Sequence, residues 1–255
     1  MSPREYRLSG HTYVSVAPEG AIFLDLKRDA YLGIAPAQAQ ELSQHVEGWP
    51  TAASGALQQL GPVSRAAVDA PAAPDTQDAD ANAFAQSLCA RGLLVHGLTT
   101  GRPAEPATLP VALDELIPWD CMPSDHITVG HVISFLLAWL ATRTRLRIQP
   151  LEPMVRRIQL RNGKRQPAAG FDFERARLLT SAYQHIRTWV FTRKGNCLLD
   201  SLTMLEFLAR YDIHPAWVIG VQVRPFAAHS WLQHDHWVLN GTPAFVRAYQ
   251  PILVL

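Results

Sequence analysis

Cys197 and His229 are the two side chains in this sequence whose types and surroundings suit acyl chemistry, a thiol as nucleophile and an imidazole as general base. Cys197 opens the run Cys197-Leu198-Leu199-Asp200-Ser201-Leu202 and follows Gly195 and Asn196. Glycine permits a sharp turn into a helix, and asparagine is a favourable N-cap whose side-chain oxygen can take a first-turn N–H. The expected helix therefore begins at Cys197, where aligned peptide dipoles present partial positive charge to the sulfur. Leu198, Leu202, Leu205 and Ala209 repeat at helical spacing, and Cys197, Ser201, Met204 and Leu208 form the adjoining stripe. Asp200, Thr203, Glu206 and Arg210 fall on the remaining, polar side. His229 lies on another kind of element. Residues 216–221 and 228–233 are compact β-type runs. By spacing alone, an inert core cysteine and a structural histidine fit the same pattern.

His229, His234 and His236 raise metal binding, but a metal needs ligands converging on one centre. His234 and His236 are expected at a hairpin tip, away from His229. Neither a metal nor another cofactor is expected.

The elements that must carry this pair belong to an ordinary globular chain of 255 residues, 48% hydrophobic and 18% charged, long enough for one large or two modest domains. A net charge of +1 gives no reason to expect nucleic acid or an anionic membrane as partner. The three cysteines, Cys89, Cys121 and Cys197, have no metal-type spacing and suit a reducing compartment. No signal-peptide pattern opens the chain, so a cytoplasmic location is expected. The longest apolar run, residues 127–141, is shorter than the roughly 20 residues that cross a bilayer and reads as a buried helix.

Residues 1–97 read as a separable unit. Short strands are expected at 13–16, 21–26 and 30–34. Helices are expected at 36–46, opened by Pro36, at 52–60, and at 83–90, capped by Asn82 and closed by Gly92. Residues 61–80 read as a loop, and residues 98–112 as a proline-containing linker. Further on, helices are expected at 127–147, with a basic end at Arg143, Arg145 and Arg147, then at 151–160 and 173–190, with a loop at 162–170.

The pieces Cys197-Leu198-Leu199-Asp200-Ser201-Leu202, Pro215-Ala216-Trp217-Val218-Ile219-Gly220-Val221, Pro225-Phe226-Ala227-Ala228-His229-Ser230-Trp231-Leu232-Gln233 and Val238-Leu239-Asn240 come in order. With the ending Tyr249-Gln250-Pro251-Ile252-Leu253, they resemble the leader peptidase of lasso-peptide biosynthesis, the B protein with a transglutaminase-like cysteine protease fold. The N-terminal pieces Phe23-Leu24-Asp25-Leu26-Lys27, Ala30-Tyr31-Leu32-Gly33-Ile34 and Ala90-Arg91-Gly92-Leu93-Leu94 resemble the leader-recognition domain shared with the PQQ-biosynthesis peptide chaperone. The implied fold is α+β: a winged-helix-like domain of three strands and three helices, then a transglutaminase- or papain-like peptidase domain at residues 113–255. The resemblance implies that a precursor peptide's leader adds as a strand along Tyr31, Leu32, Gly33 and Ile34, beside Phe84 and Leu88. It implies that Cys197 and His229 cut the leader off, and that an ATP-dependent cyclase then closes a macrolactam ring in the core peptide. A leader-binding adaptor with an inactive peptidase domain, and transglutaminase-type acyl transfer, are the alternatives.

One position departs from the family. An aspartate is expected after Asn240, and the residue there is Gly241. A hairpin with a two-residue turn at His234-Asp235 would pair His229 with Asn240 on one face, and asparagine can orient an imidazole. A three-residue turn would place Gly241 there instead. Asp235 is the other candidate for the third group, although it lies roughly 20 Å along a strand from His229.

Overall fold

Short apolar runs separated by turns build the first strands: β1 (Tyr6–Leu8), β2 (Thr12–Ala17), β3 (Gly20–Asp25) and β4 (Ala30–Ile34). The computed structural model describes residues 5–50, 79–97, 100–117, 127–163, 171–192 and 195–255. In it β2, β3 and β4 form an antiparallel sheet in that order, with Val14 opposite Phe23 and Phe23 opposite Leu32. The central strand β3 is buried along its whole length. Among the described residues β4 is hydrogen-bonded on one side only, and it is exposed or half-buried up to Ile34.

α1 (Pro36–His45) opens with the expected proline. α2 (Ala79–Ala90) starts earlier than expected, so Asn82 lies inside the helix and is not its cap. Its end follows the expected glycine closure: Gly92 takes φ +76°, its N–H donates to Cys89 O at 2.8 Å, and Leu93 N–H donates to Leu88 O at 2.9 Å. β5 (Leu94–His96) pairs antiparallel with β1. Neither was expected, because three residues carry too little alternation to identify a strand. The helix expected at 52–60 lies outside the described residues. Leu8, Phe23, Leu42, Leu88 and Leu94 are the centre of this core.

From residue 109 onward the elements are β6 (Asp114–Glu115), α3 (Val129–Ile148), α4 (Leu151–Gly163), α5 (Phe173–Thr188), α6 (Cys197–Ala209), β7 (Ala216–Gln222), β8 (Ala227–His234), β9 (Trp237–Val238), α7 (Pro243–Val246) and β10 (Gln250–Val254). Thr128 caps α3 by accepting the His131 N–H, and Asp172 caps α5 by accepting the Arg175 N–H. Tyr183 on α5 packs against Phe135 on α3 at 5.3 Å and Phe207 on α6 at 5.7 Å, locking three helices together. The sheet order is β10-β7-β8-β9-β6; β9 runs antiparallel to β8 and parallel to β6, so the sheet is mixed. The chain is α+β. No helix among the described residues is long and apolar enough to cross a membrane.

Two compact units result. One is Met1–Thr108 with Val221–Ala228 and Gln250–Leu253; the other is Leu109–Gly220 with His229–Tyr249 and Val254–Leu255. Residues 100–108, inside the stretch read as a linker, are tied into the first unit. Arg102 and Leu8 exchange backbone hydrogen bonds of 2.9 and 3.0 Å, and the Arg102 guanidinium lies 3.7 Å over the Tyr13 ring.

Candidate active site

Cys197 is the first residue of α6, as its sequence context predicts, and Gly195 makes the turn before it at φ +76°. The expected capping bond is not made. Asn196 forms no side-chain cap, and its amide donates to Thr192 O at 3.1 Å. The first-turn N–H groups of α6 are therefore not taken by the cap side chain. Cys197 itself is half-buried.

One turn further on, α6 is pinned to the sheet. The Ser201 and Ser230 hydroxyls are 2.7 Å apart, and Trp217 Nε1 donates to both, at 3.1 and 2.8 Å. Ser230 also donates to Val218 O at 3.1 Å. These groups are buried, so each must find its partner inside the protein.

His229 precedes Ser230 on β8, and its ring lies among aromatics. It stacks near Trp231 at 6.0 Å, meets Phe245 edge to face at 4.9 Å, and tilts against Tyr249 at 5.4 Å. Burial pushes the Tyr249 hydroxyl pKa up, and electrostatic interaction with Cys197 adds to the rise. Gly220 on β7 lets this row settle: a Cβ there would stand 2.7 Å from the Trp231 ring and 2.9 Å from Tyr249 Cβ.

Behind Cys197, on the side of α6 read as polar, lies a buried network. Asp200 is 2% exposed and Thr203 fully buried. The Asp200 carboxylate accepts from Tyr183 Oη at 3.0 Å and Asn240 Nδ2 at 3.3 Å, and Arg187 Nε stands 3.6 Å away. Tyr183 also donates to Asp200 O at 2.9 Å, and Arg187 donates to Gln184 Oε1 at 3.3 Å. Sequence reasoning missed these partners. Two apolar stripes already cover most of the helix circumference, so Asp200, near the buried start of α6, is enclosed and paired, while Arg210 at its far end is exposed.

The hairpin differs from the expected one. Gln233 pairs with Val238 and His234 with Trp237, so the two-residue turn is Asp235-His236, one position later. The turn needs a residue in the left-handed region, and Asp235 takes it at φ 48°. The ladder stops before Asn240, which is therefore not the cross-strand partner of His229. Its Oδ1 accepts the Leu232 N–H at 2.8 Å while its Nδ2 reaches Asp200. Asp235 sits in the turn beside His234, its carboxylate 3.5 Å from Nε2. His234 stacks on Phe171 at 3.6 Å, and His236 Nδ1 lies 2.8 Å from Val111 O, so the three histidines do not converge. Burial lowers the His234 pKa, with Asp235 opposing. Asn240→Ala is expected to cost about 1–3 kcal/mol, because the buried Leu232 N–H loses its acceptor. Urea unfolding followed by tryptophan fluorescence measures this; an unchanged midpoint would refute it.

In the first unit a cavity of about 280 Å³ lies along β4, lined by Ala30, Tyr31, Leu32, Leu93, Arg28 and Arg91 among others. Phe84 is partly buried against the core, and Leu88 is 1% exposed, a core residue that offers no surface to a ligand. Gly33 has open space where a Cβ would stand, and Ile34 is buried at the end of β4. Asp25 shapes one end. Burial opposes its ionisation, but hydrogen bonds from the Arg28 guanidinium and the Lys27 and Arg28 amides outweigh that and hold its pKa below the ordinary value. Burial raises the Cys89 thiol pKa, and Cys121 lies outside the described residues.

Residues 138–254 match the family model of the transglutaminase-like superfamily. That span is a transglutaminase-like domain, of the papain-like cysteine protease superfamily, and it contains Cys197 and His229. No curated protein and no solved structure matches the chain.

Proposed function

We propose that this protein is the leader peptidase of a lasso-peptide pathway: its N-terminal part binds the leader of a ribosomally made precursor peptide, and Cys197 with His229 cuts the leader off. The observation that carries the reading is a cysteine at the first residue of a buried helix, with a histidine on strand β8 of the same compact unit, inside a transglutaminase-like domain. The order of the surrounding sequence pieces supports the narrower class. The open side of β4 and the cavity along it suit a peptide added as a strand, with the exposed backbone supplying hydrogen bonds and the cavity taking a side chain. The winged-helix-like reading of the N-terminal part belongs to this proposal. Its three-stranded sheet, α1 and α2 support it.

The chemistry follows from the groups. His229 takes the thiol proton, and the Cys197 sulfur attacks the scissile carbonyl carbon, forming a C–S bond and a tetrahedral oxyanion. First-turn N–H groups of α6 are placed to stabilise that oxyanion. The C–N bond breaks as His229 returns the proton to the leaving amine, leaving a thioester. Water, deprotonated by His229, then attacks the thioester, releasing the acid and restoring the thiol. In the proposed pathway the freed core peptide passes to an ATP-dependent macrolactam cyclase.

The test is to incubate the purified full-length protein with the precursor peptide encoded beside its gene and to weigh the products. Separate leader and core masses are expected. Leader binding without cleavage would indicate an adaptor, and an amine-linked product would indicate acyl transfer; either outcome, or an untouched and unbound precursor, overturns the peptidase reading.

A further inference from the structure

We infer that Phe245 and Tyr249 form a fixed apolar wall beside the Cys197–His229 pair, which selects an apolar side chain in the substrate next to the bond under attack. The inference rests on the proposed roles of Cys197 and His229. Phe245 is 49% exposed, yet its ring is 4.9 Å from His229 and 5.4 Å from Tyr249. A single exposed aromatic residue is ordinary. This one is held in place. Thr242 Oγ1 accepts the Phe245 N–H at 3.3 Å, Pro243 starts the short α7, and Val246, 2% exposed, anchors it in the core formed with Trp231, Val218 and Val238. Tyr249 is half-buried, seated against Gly220, and its ring tilts toward His229. The two rings therefore flank the imidazole and each other.

A substrate whose leaving nitrogen lies near His229 meets Phe245 and Tyr249 as rings beside that imidazole. An aromatic surface gains by covering apolar area and gains nothing from a hydrated polar group. Burial holds the Tyr249 phenol pKa above its ordinary value, which keeps it neutral near pH 7. The wall thus presents no charge of its own to a substrate.

The experiment reads the wall without needing the natural substrate. Full-length protein is alkylated with iodoacetamide or N-benzyl iodoacetamide, and Cys197 labelling is followed by peptide mass spectrometry, each rate normalised to that of a free thiol. The wild-type protein is expected to favour the benzyl reagent by roughly tenfold, the scale of discrimination by one hydrophobic contact surface. Phe245→Ala is expected to bring the ratio close to that of the free thiol, while Phe245→Leu, which keeps an apolar surface, retains most of it. A wild-type ratio equal to that of the free thiol, or a ratio unchanged in Phe245→Ala, overturns the inference. His229→Ala reports separately on the pair: slower labelling by both reagents together supports it, and its failure leaves the ratio test standing.

Discussion

The Cys197→Ala protein is expected to leave the precursor peptide intact while still binding its leader. Removing the nucleophile leaves no atom to form the acyl-enzyme, and losses for such changes run to roughly 10⁴- to 10⁶-fold in rate. The substitution should spare the fold. Cys197 is half-buried at the first residue of α6, and the contacts that pin this helix are made by Ser201, Trp217 and Ser230 further along. Leader affinity, read by fluorescence anisotropy, should be unchanged, because the cavity along β4 involves no residue of α6. Cys89→Ala and Cys121→Ala should cleave normally. Cys89 packs partly buried against the first core, and its raised thiol pKa makes it a poor nucleophile at neutral pH. Full cleavage by the Cys197→Ala protein would end the proposed mechanism.

Asp200→Ala is expected to destabilise the transglutaminase-like domain by about 3–5 kcal/mol, the scale of breaking a buried ion pair by removing one partner. Both sides of the pair are almost fully enclosed, at 2% exposure for Asp200 and 5% for Arg187. Without the carboxylate, the guanidinium keeps its charge with only Gln184 as a described hydrogen-bond partner, and Asn240 Nδ2 loses its acceptor. Asp200→Asn should cost less, because an amide oxygen can still accept from Tyr183. Since α6 carries Cys197 at its first residue, loosening Asp200 should also lower the cleavage rate of whatever protein remains folded. Chemical unfolding of the two variants against the wild type decides the matter. A loss under 1 kcal/mol for Asp200→Ala would show that the network is not the support described here.

The helix beginning at Cys197 was legible because its signals are local: a glycine for the left-handed turn, an asparagine at the boundary, and apolar residues at helical spacing behind. Pro36 at the start of α1 and Gly92 after α2 worked in the same way, since proline and glycine restrict or free the backbone wherever they stand. The strands β2, β3 and β4 showed as short apolar runs separated by turns. Tertiary pairing settled the rest. Asn196 kept its position at the helix boundary but gave its amide to Thr192, because a cap side chain follows whichever partner packing brings close. The hairpin register turned on which residue took φ 48°, and that single step moved Asn240 from the side of His229 to the end of the sheet, where Leu232 and Asp200 hold it. Asp200 read only as part of the polar side of the helix, for want of any local sign of Arg187, Tyr183 and Asn240. Its partners come from α5 and from beyond β9, and contacts between residues so far apart in sequence exist only once the chain has folded. By itself, then, the sequence determined where Cys197 stands and which strand carries His229, since both are fixed by local backbone preference. Only the tertiary structure decided what surrounds them, since the aromatic wall of Phe245 and Tyr249 and the buried carboxylate behind α6 depend on packing that no short stretch of sequence encodes.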